Sequence, residues 1–78
     1  MSEGFLLDRP VYTPGEVRTL YAHYVRPISY PTVLNWIEVH RVTNGREGMR
    51  AHKTPRGRYL IEADEVERVL LEAGAKKG

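Results

Sequence analysis

A chain of 78 residues makes one small domain rather than two. Apolar residues are 41%, charged residues 28% and the formal net charge is +2, a balance that excludes a disordered or membrane-embedded chain. No apolar run approaches the roughly 18–20 residues that span a bilayer, no secretory signal pattern is read, and the absence of cysteine excludes disulfides and thiolate metal sites.

Residues 1–11 are read as an N-terminal extension packing on the domain, with Phe5-Leu6-Leu7 as its apolar part. The domain itself is expected over 12–74, with 75–78 as a flexible tail. Thr13-Pro14-Gly15-Glu16 is a helix start: Thr13 can cap an orphan N–H, Glu16 can reach back, and Pro14 needs no hydrogen bond at the first position. Val17, Leu20, Tyr21 and Tyr24 then recur on one face, which predicts a helix from Pro14 to His23 or Tyr24. Pro27 stops any continuation.

Ser29-Tyr30-Pro31-Thr32 opens a second helix, with Ser29 or Tyr30 as cap and an end near His40. Val33, Trp36 and Ile37 share its buried face, so Trp36 is read as core rather than as a base-stacking platform. Two short helices joined by a bent linker form a helix-turn-helix pattern. Thr43 to Gly48 is a loop by its glycines. Met49 to Lys53 alternates as a half-exposed strand, Thr54-Pro55-Arg56-Gly57 is a turn, and Arg58-Tyr59-Leu60-Ile61 is the returning strand, so 49–61 is a β-hairpin. Glu62 to Glu65 opens a third helix with acids at the positive end of its dipole. Val66, Val69, Leu70 and Ala73 are its buried face, and Gly74 stops it. The fold class is therefore α+β and mostly helical, a winged helix-turn-helix of helix, helix, hairpin wing and helix.

Charge is concentrated in one stretch. Residues 41–58 hold Arg41, Arg46, Arg50, Lys53, Arg56 and Arg58 against Glu47 alone, a net of +5, while 1–40 carry −1 and 59–78 carry −2. Such a cluster points to a polyanion such as nucleic acid, or to a solvated loop whose charges aid solubility. The acids Glu62, Asp64, Glu65 and Glu67 are explained by capping and solubility. His23, His40 and His52 lack metal-ligand spacing, and no catalytic constellation or phosphate loop is present, so neither enzymatic activity nor a cofactor is expected.

Tyr12-Thr13-Pro14-Gly15-Glu16-Val17, Thr32-Val33-Leu34-Asn35-Trp36-Ile37, Lys53-Thr54-Pro55-Arg56-Gly57-Arg58-Tyr59 and Ala63-Asp64-Glu65-Val66 follow one another in an order that resembles the MerR-type winged helix. The resemblance is to the small stand-alone form shared with phage and transposon excisionases, and covers about residues 12 to 71. It implies double-stranded DNA binding, with helix 29–40 in the major groove and wing 49–61 on the flanking backbone or minor groove. Family contacts fall on Ser29, Tyr30, Pro31, Leu34 and Asn35, and wing contacts on Lys53, Arg56 and Arg58. The chain departs from the family pattern in three places. Leu34 stands where a basic residue is frequent, the turn from His23 to Ile28 is long, and His40 stands where glycine closes the helix.

From the residues themselves, Asn35 is either an adenine reader or an exposed polar group. Arg56 is a solvated tip or a groove-inserting arm, and Tyr30 a phosphate contact or packing for the long turn. Arg41 and Arg46 can clamp phosphates. Arg50, Lys53 and Arg58 divide between the two hairpin faces according to register, which a one-residue slip would invert. The expected role is transcription regulator or recombination directionality factor, cytoplasmic and nucleoid-associated. Its expected partners are duplex DNA, further copies of itself on DNA, and RNA polymerase or a recombinase. The rival reading is a winged-helix module that docks on a protein such as RNA polymerase.

Overall fold

The computed structural model describes residues 9–75. In chain order it contains β1 (Val11–Tyr12), α1 (Pro14–Tyr24), α2 (Tyr30–Val42), β2 (His52–Lys53), β3 (Tyr59–Glu62) and α3 (Ala63–Glu72). The expectations for Phe5-Leu6-Leu7 and for 76–78 lie outside the described residues. Three helices and a three-stranded antiparallel sheet, in the order β1-β3-β2, make a small α+β fold.

Helix α1 begins as its sequence dictates. Thr13 is the cap, the Glu16 N–H donates to Thr13 Oγ1 (3.3 Å), and the Thr13 N–H donates to Glu16 Oε1 (2.9 Å). Val17 and Tyr21 are buried, with Leu20 and Tyr24 packed at the edge of the same face. The long turn that follows is closed by its own apolar residues, since Val25 and Ile28 both pack against the core.

Helix α2 differs from the expectation at both ends. Ser29 occupies the cap position, but its hydroxyl lies 2.9 Å from Thr32 Oγ1 and caps no backbone N–H. The helix runs past His40 to Val42. Closure falls instead on Asn44, in the left-handed region at φ 55°. The Gly45 N–H donates to His40 O (2.9 Å) and the Asn44 N–H to Arg41 O (3.5 Å), the two bonds of a Schellman closure. His40 thus sits inside the helix, and the strain implied by a histidine in the glycine position does not arise.

The hairpin is shorter than its alternation suggests. Met49 and Arg50 are not in the strand, because their N–H groups are taken elsewhere: Met49 donates to Trp36 O (3.0 Å) and Arg50 to Glu65 Oε2 (2.8 Å). Only His52 and Lys53 pair, opposite Leu60 and Tyr59. The returning strand starts at Tyr59 rather than Arg58. The turn closes through Gly57 N–H to Thr54 O (2.9 Å), with Gly57 at φ 86°.

Strand β1 has no counterpart in the sequence reading. Val11 and Tyr12 pair with Glu62 and Ile61, and Pro10 O accepts the Ala63 N–H (3.0 Å). Arg9 braces this edge, its guanidinium lying over the Tyr12 ring and 2.5 Å from Glu16. Helix α3 buries Val66 and Leu70 and ends at Gly74, where Ala75 N–H to Leu70 O and Gly74 N–H to Leu71 O, both 3.0 Å, form a second Schellman closure. The core gathers Tyr12, Val17, Val33, Met49, Ile61 and Leu70, one residue or more from every element except β2. Trp36 packs beside it against Tyr21, ring centroids 5.1 Å apart.

Candidate nucleic-acid interface

Helix α2 has one free face. At 3.6 residues per turn, Tyr30, Arg41, Leu34, Glu38, Pro31, Val42 and Asn35 follow one another around an arc of about 140°, and all seven are exposed. The Tyr30–Leu34–Arg41 side of that arc faces the hairpin. Asn35 lies at the opposite margin.

Two clefts run between α2 and the hairpin. The first, about 460 Å³, is lined by Tyr30 and Leu34 of α2, Thr13 and Pro14 at the start of α1, and Gly57, Arg58 and Tyr59 of the hairpin. The second, about 400 Å³, is lined by Ile37, Glu38 and Arg41 of α2 with Arg50, Lys53 and Tyr59. A third hollow at the far end of α2 brings Arg46 beside Arg50. The cations therefore succeed one another along α2: Arg58, then Lys53, then Arg41 and Arg50, then Arg46. Asn35 and Arg56, both exposed, line neither of the first two clefts.

Of Arg50, Lys53 and Arg58, register assigns a face to Lys53 alone, since the other two lie outside the paired strands. Lys53 lies opposite Tyr59, and its ammonium is 5.8 Å from that ring, so both stand on the side of α2. Tyr59 is common to both clefts and was not among the residues singled out from sequence. Its alternation with buried Ile61 was the available signal. Tyr30 is 45% exposed yet lies over the first turn of α1, since a Cβ added at Gly15 would come 3.9 Å from its ring. It therefore packs on α1, not on the long turn.

The cations are not equally free. Arg41 is tied to Glu38 by a two-pronged hydrogen bond, which holds the Glu38 carboxyl below its ordinary pKa. Arg50 is 3.1 Å from Glu62. Arg46, Lys53, Arg56 and Arg58 form no ion pair among the described residues. Ser29 and Pro31 are exposed at the start of α2, where the first turn carries no acid and no side-chain cap.

One acid has a role that solubility does not cover. Glu65 is only 7% exposed. It takes two hydrogen bonds from Arg68 (3.1 and 2.5 Å) and one from the Arg50 N–H (2.8 Å), while Arg68 also donates to Gly48 O (2.8 Å). Chiefly through Arg68, then the Arg50 N–H, the carboxyl is held below its ordinary pKa despite burial. The guanidinium of Arg68 is correspondingly raised. This cluster fastens the chain leaving α2 to α3 and so sets where the hairpin begins. The i, i+3 spacing of Glu65 and Arg68 was its only trace in the sequence.

No protein-family model, curated protein or solved structure matches the chain. No helix among the described residues is long and apolar enough to cross a membrane.

Proposed function

We propose that the chain is a duplex-DNA-binding module of winged helix-turn-helix type, with α2 in the major groove and the β2–β3 hairpin as a wing on the flanking backbone. Its use is in transcription regulation or in directing recombination. The observation that carries this reading is the shared border of α2 and the hairpin: Tyr30 and Leu34 face Gly57 and Arg58 across one cleft. A probe helix and a basic flap so placed can meet one duplex together. The row of cations along α2 supports it, as does the acid-free first turn of α2, whose N–H groups and dipole favour a phosphate.

Four cations of the 41–58 stretch, Arg46, Lys53, Arg56 and Arg58, form no ion pair among the described residues and set the electrostatic contribution. Four phosphate contacts correspond to a log–log salt slope of about −3.6, or about 150-fold weaker binding on going from about 50 to 200 mM salt. Fluorescence anisotropy with a labelled duplex measures this. Arg58→Ala or Lys53→Ala should each weaken binding to all sequences and reduce the slope by about one. Salt-indifferent binding, or none, would overturn the proposal. The protein-docking alternative has a specific feature in its favour, the exposed apolar pair Tyr30 and Leu34. It predicts that Arg56→Glu abolishes a protein complex while duplex DNA is never bound.

A further inference from the structure

The chemistry of the α2 arc is unusual for a helix among so many cations. Its single Lys or Arg is Arg41, and Glu38 holds it. Guanine presents two acceptors in the major groove and calls for an Arg or Lys donor, which the middle of this arc does not supply. The arc offers instead a branched apolar side chain, Leu34, on its hairpin side and an amide, Asn35, at its far margin. Leu34 is 37% exposed and stands one turn from Tyr30, with Pro14 and Tyr59 completing an apolar floor. Arg58 lies on the border of that floor, and Lys53 stands on the same side of the hairpin. An apolar floor bordered by cations suits a group that is itself apolar but attached to a phosphodiester chain.

We propose that Leu34 and the cleft beside it form a subsite for the C5-methyl group of a thymine, with Asn35 placed to read an adenine. The module then discriminates A·T from G·C by methyl burial and amide pairing rather than by guanine contacts. The methyl is the one apolar group that a base pair presents in the major groove. The phosphate of the same strand passes beneath Arg58. This inference rests on the DNA-binding reading above and adds the base class that it recognises.

The test uses the full 78-residue chain. Bound duplexes are selected from a random pool, and each thymine of the winning sequence is replaced in turn by deoxyuridine, which removes only the methyl. One replacement should weaken binding about fourfold, the worth of one buried methyl. In Leu34→Ala the same replacement should change nothing, because the wall that the methyl touched is gone. Leu34 is partly exposed, so the variant's fold is verified by its thermal melt. Salt-dependent duplex binding in which no thymine is enriched, or in which every deoxyuridine duplex binds like its parent, overturns the subsite and leaves the DNA-binding reading intact. So does Leu34→Ala retaining the fourfold sensitivity. Failure to bind any duplex overturns both.

Discussion

Gly48→Ala tests how the chain leaving α2 is seated. A Cβ at this position would lie 2.3 Å from Trp36 O and 2.6 Å from His40 N, both backbone atoms of α2, and the residue holds φ 81°. Backbone of a helix does not yield, so the loop must lift. Left-handed backbone costs an L-residue about 1–2 kcal/mol. Lifting breaks the Met49 N–H to Trp36 O bond, worth about 1 kcal/mol. It also draws Met49, which has no exposed surface, partly out of the core, a fraction of the roughly 2–5 kcal/mol of a full truncation. The total is about 3–5 kcal/mol, against a stability of about 4–12 kcal/mol for a domain of this size. Melting followed by circular dichroism should therefore show a midpoint at least about 12 °C below the parent. Gly57→Ala is the control. Its φ is 86°, but no atom lies within 4 Å of the added Cβ, so only the backbone preference is lost. That costs about 1–2 kcal/mol, or about 4–16 °C, without the lost hydrogen bond and core contact that add to the Gly48 variant. Equal melting of the two variants would refute the argument from close approach.

Three further outcomes are expected. Glu65→Gln removes the charge that Arg68 and the Arg50 N–H hold, costing about 1.5–3 kcal/mol near neutral pH. Because the folded carboxyl titrates below its ordinary 4.5, its stabilisation is complete above that value and lost as pH falls through the lowered one. Parent and variant stabilities, measured by denaturant midpoints, should converge there, and parallel curves would contradict this. Asn44→Gly should raise stability by up to about 1 kcal/mol, because glycine suits the left-handed closure at φ 55° better than asparagine. The same denaturation series checks it through a higher midpoint at unchanged slope. On the DNA-binding reading, Glu38→Gln releases Arg41 and removes a carboxylate from the probing arc. Duplex affinity at low salt should rise, and the salt slope should steepen by about one in anisotropy titrations.

The helices were legible because their signals are local. The Thr13–Glu16 capping box and the period of Val17, Leu20 and Tyr21 are contained within one or two turns. Val33 and Ile37, expected on the covered face of α2, are buried there. The end of α2 was misplaced by two residues because glycine was expected to close the helix and Asn44 does so in its place. The hairpin strand was read too long because alternation marks which side chains are covered, not where a backbone N–H finds its acceptor. Met49 and Arg50 satisfy the pattern while bonding to α2 and α3.

Composition, caps and apolar periods by themselves determined that this chain would build helix, helix, hairpin and helix, and that its positive charge would gather between the second and third helices. Pairing between distant residues was decided only by the tertiary structure. It chose β1 as the partner of β3, put Lys53 and Tyr59 on the α2 side, and joined Arg50 to Glu65 and Arg68 to Gly48, 15 and 20 residues apart. The physical reason is that such contacts depend on how the elements pack and on which polar groups that packing leaves unsatisfied, and no short window of sequence contains both partners.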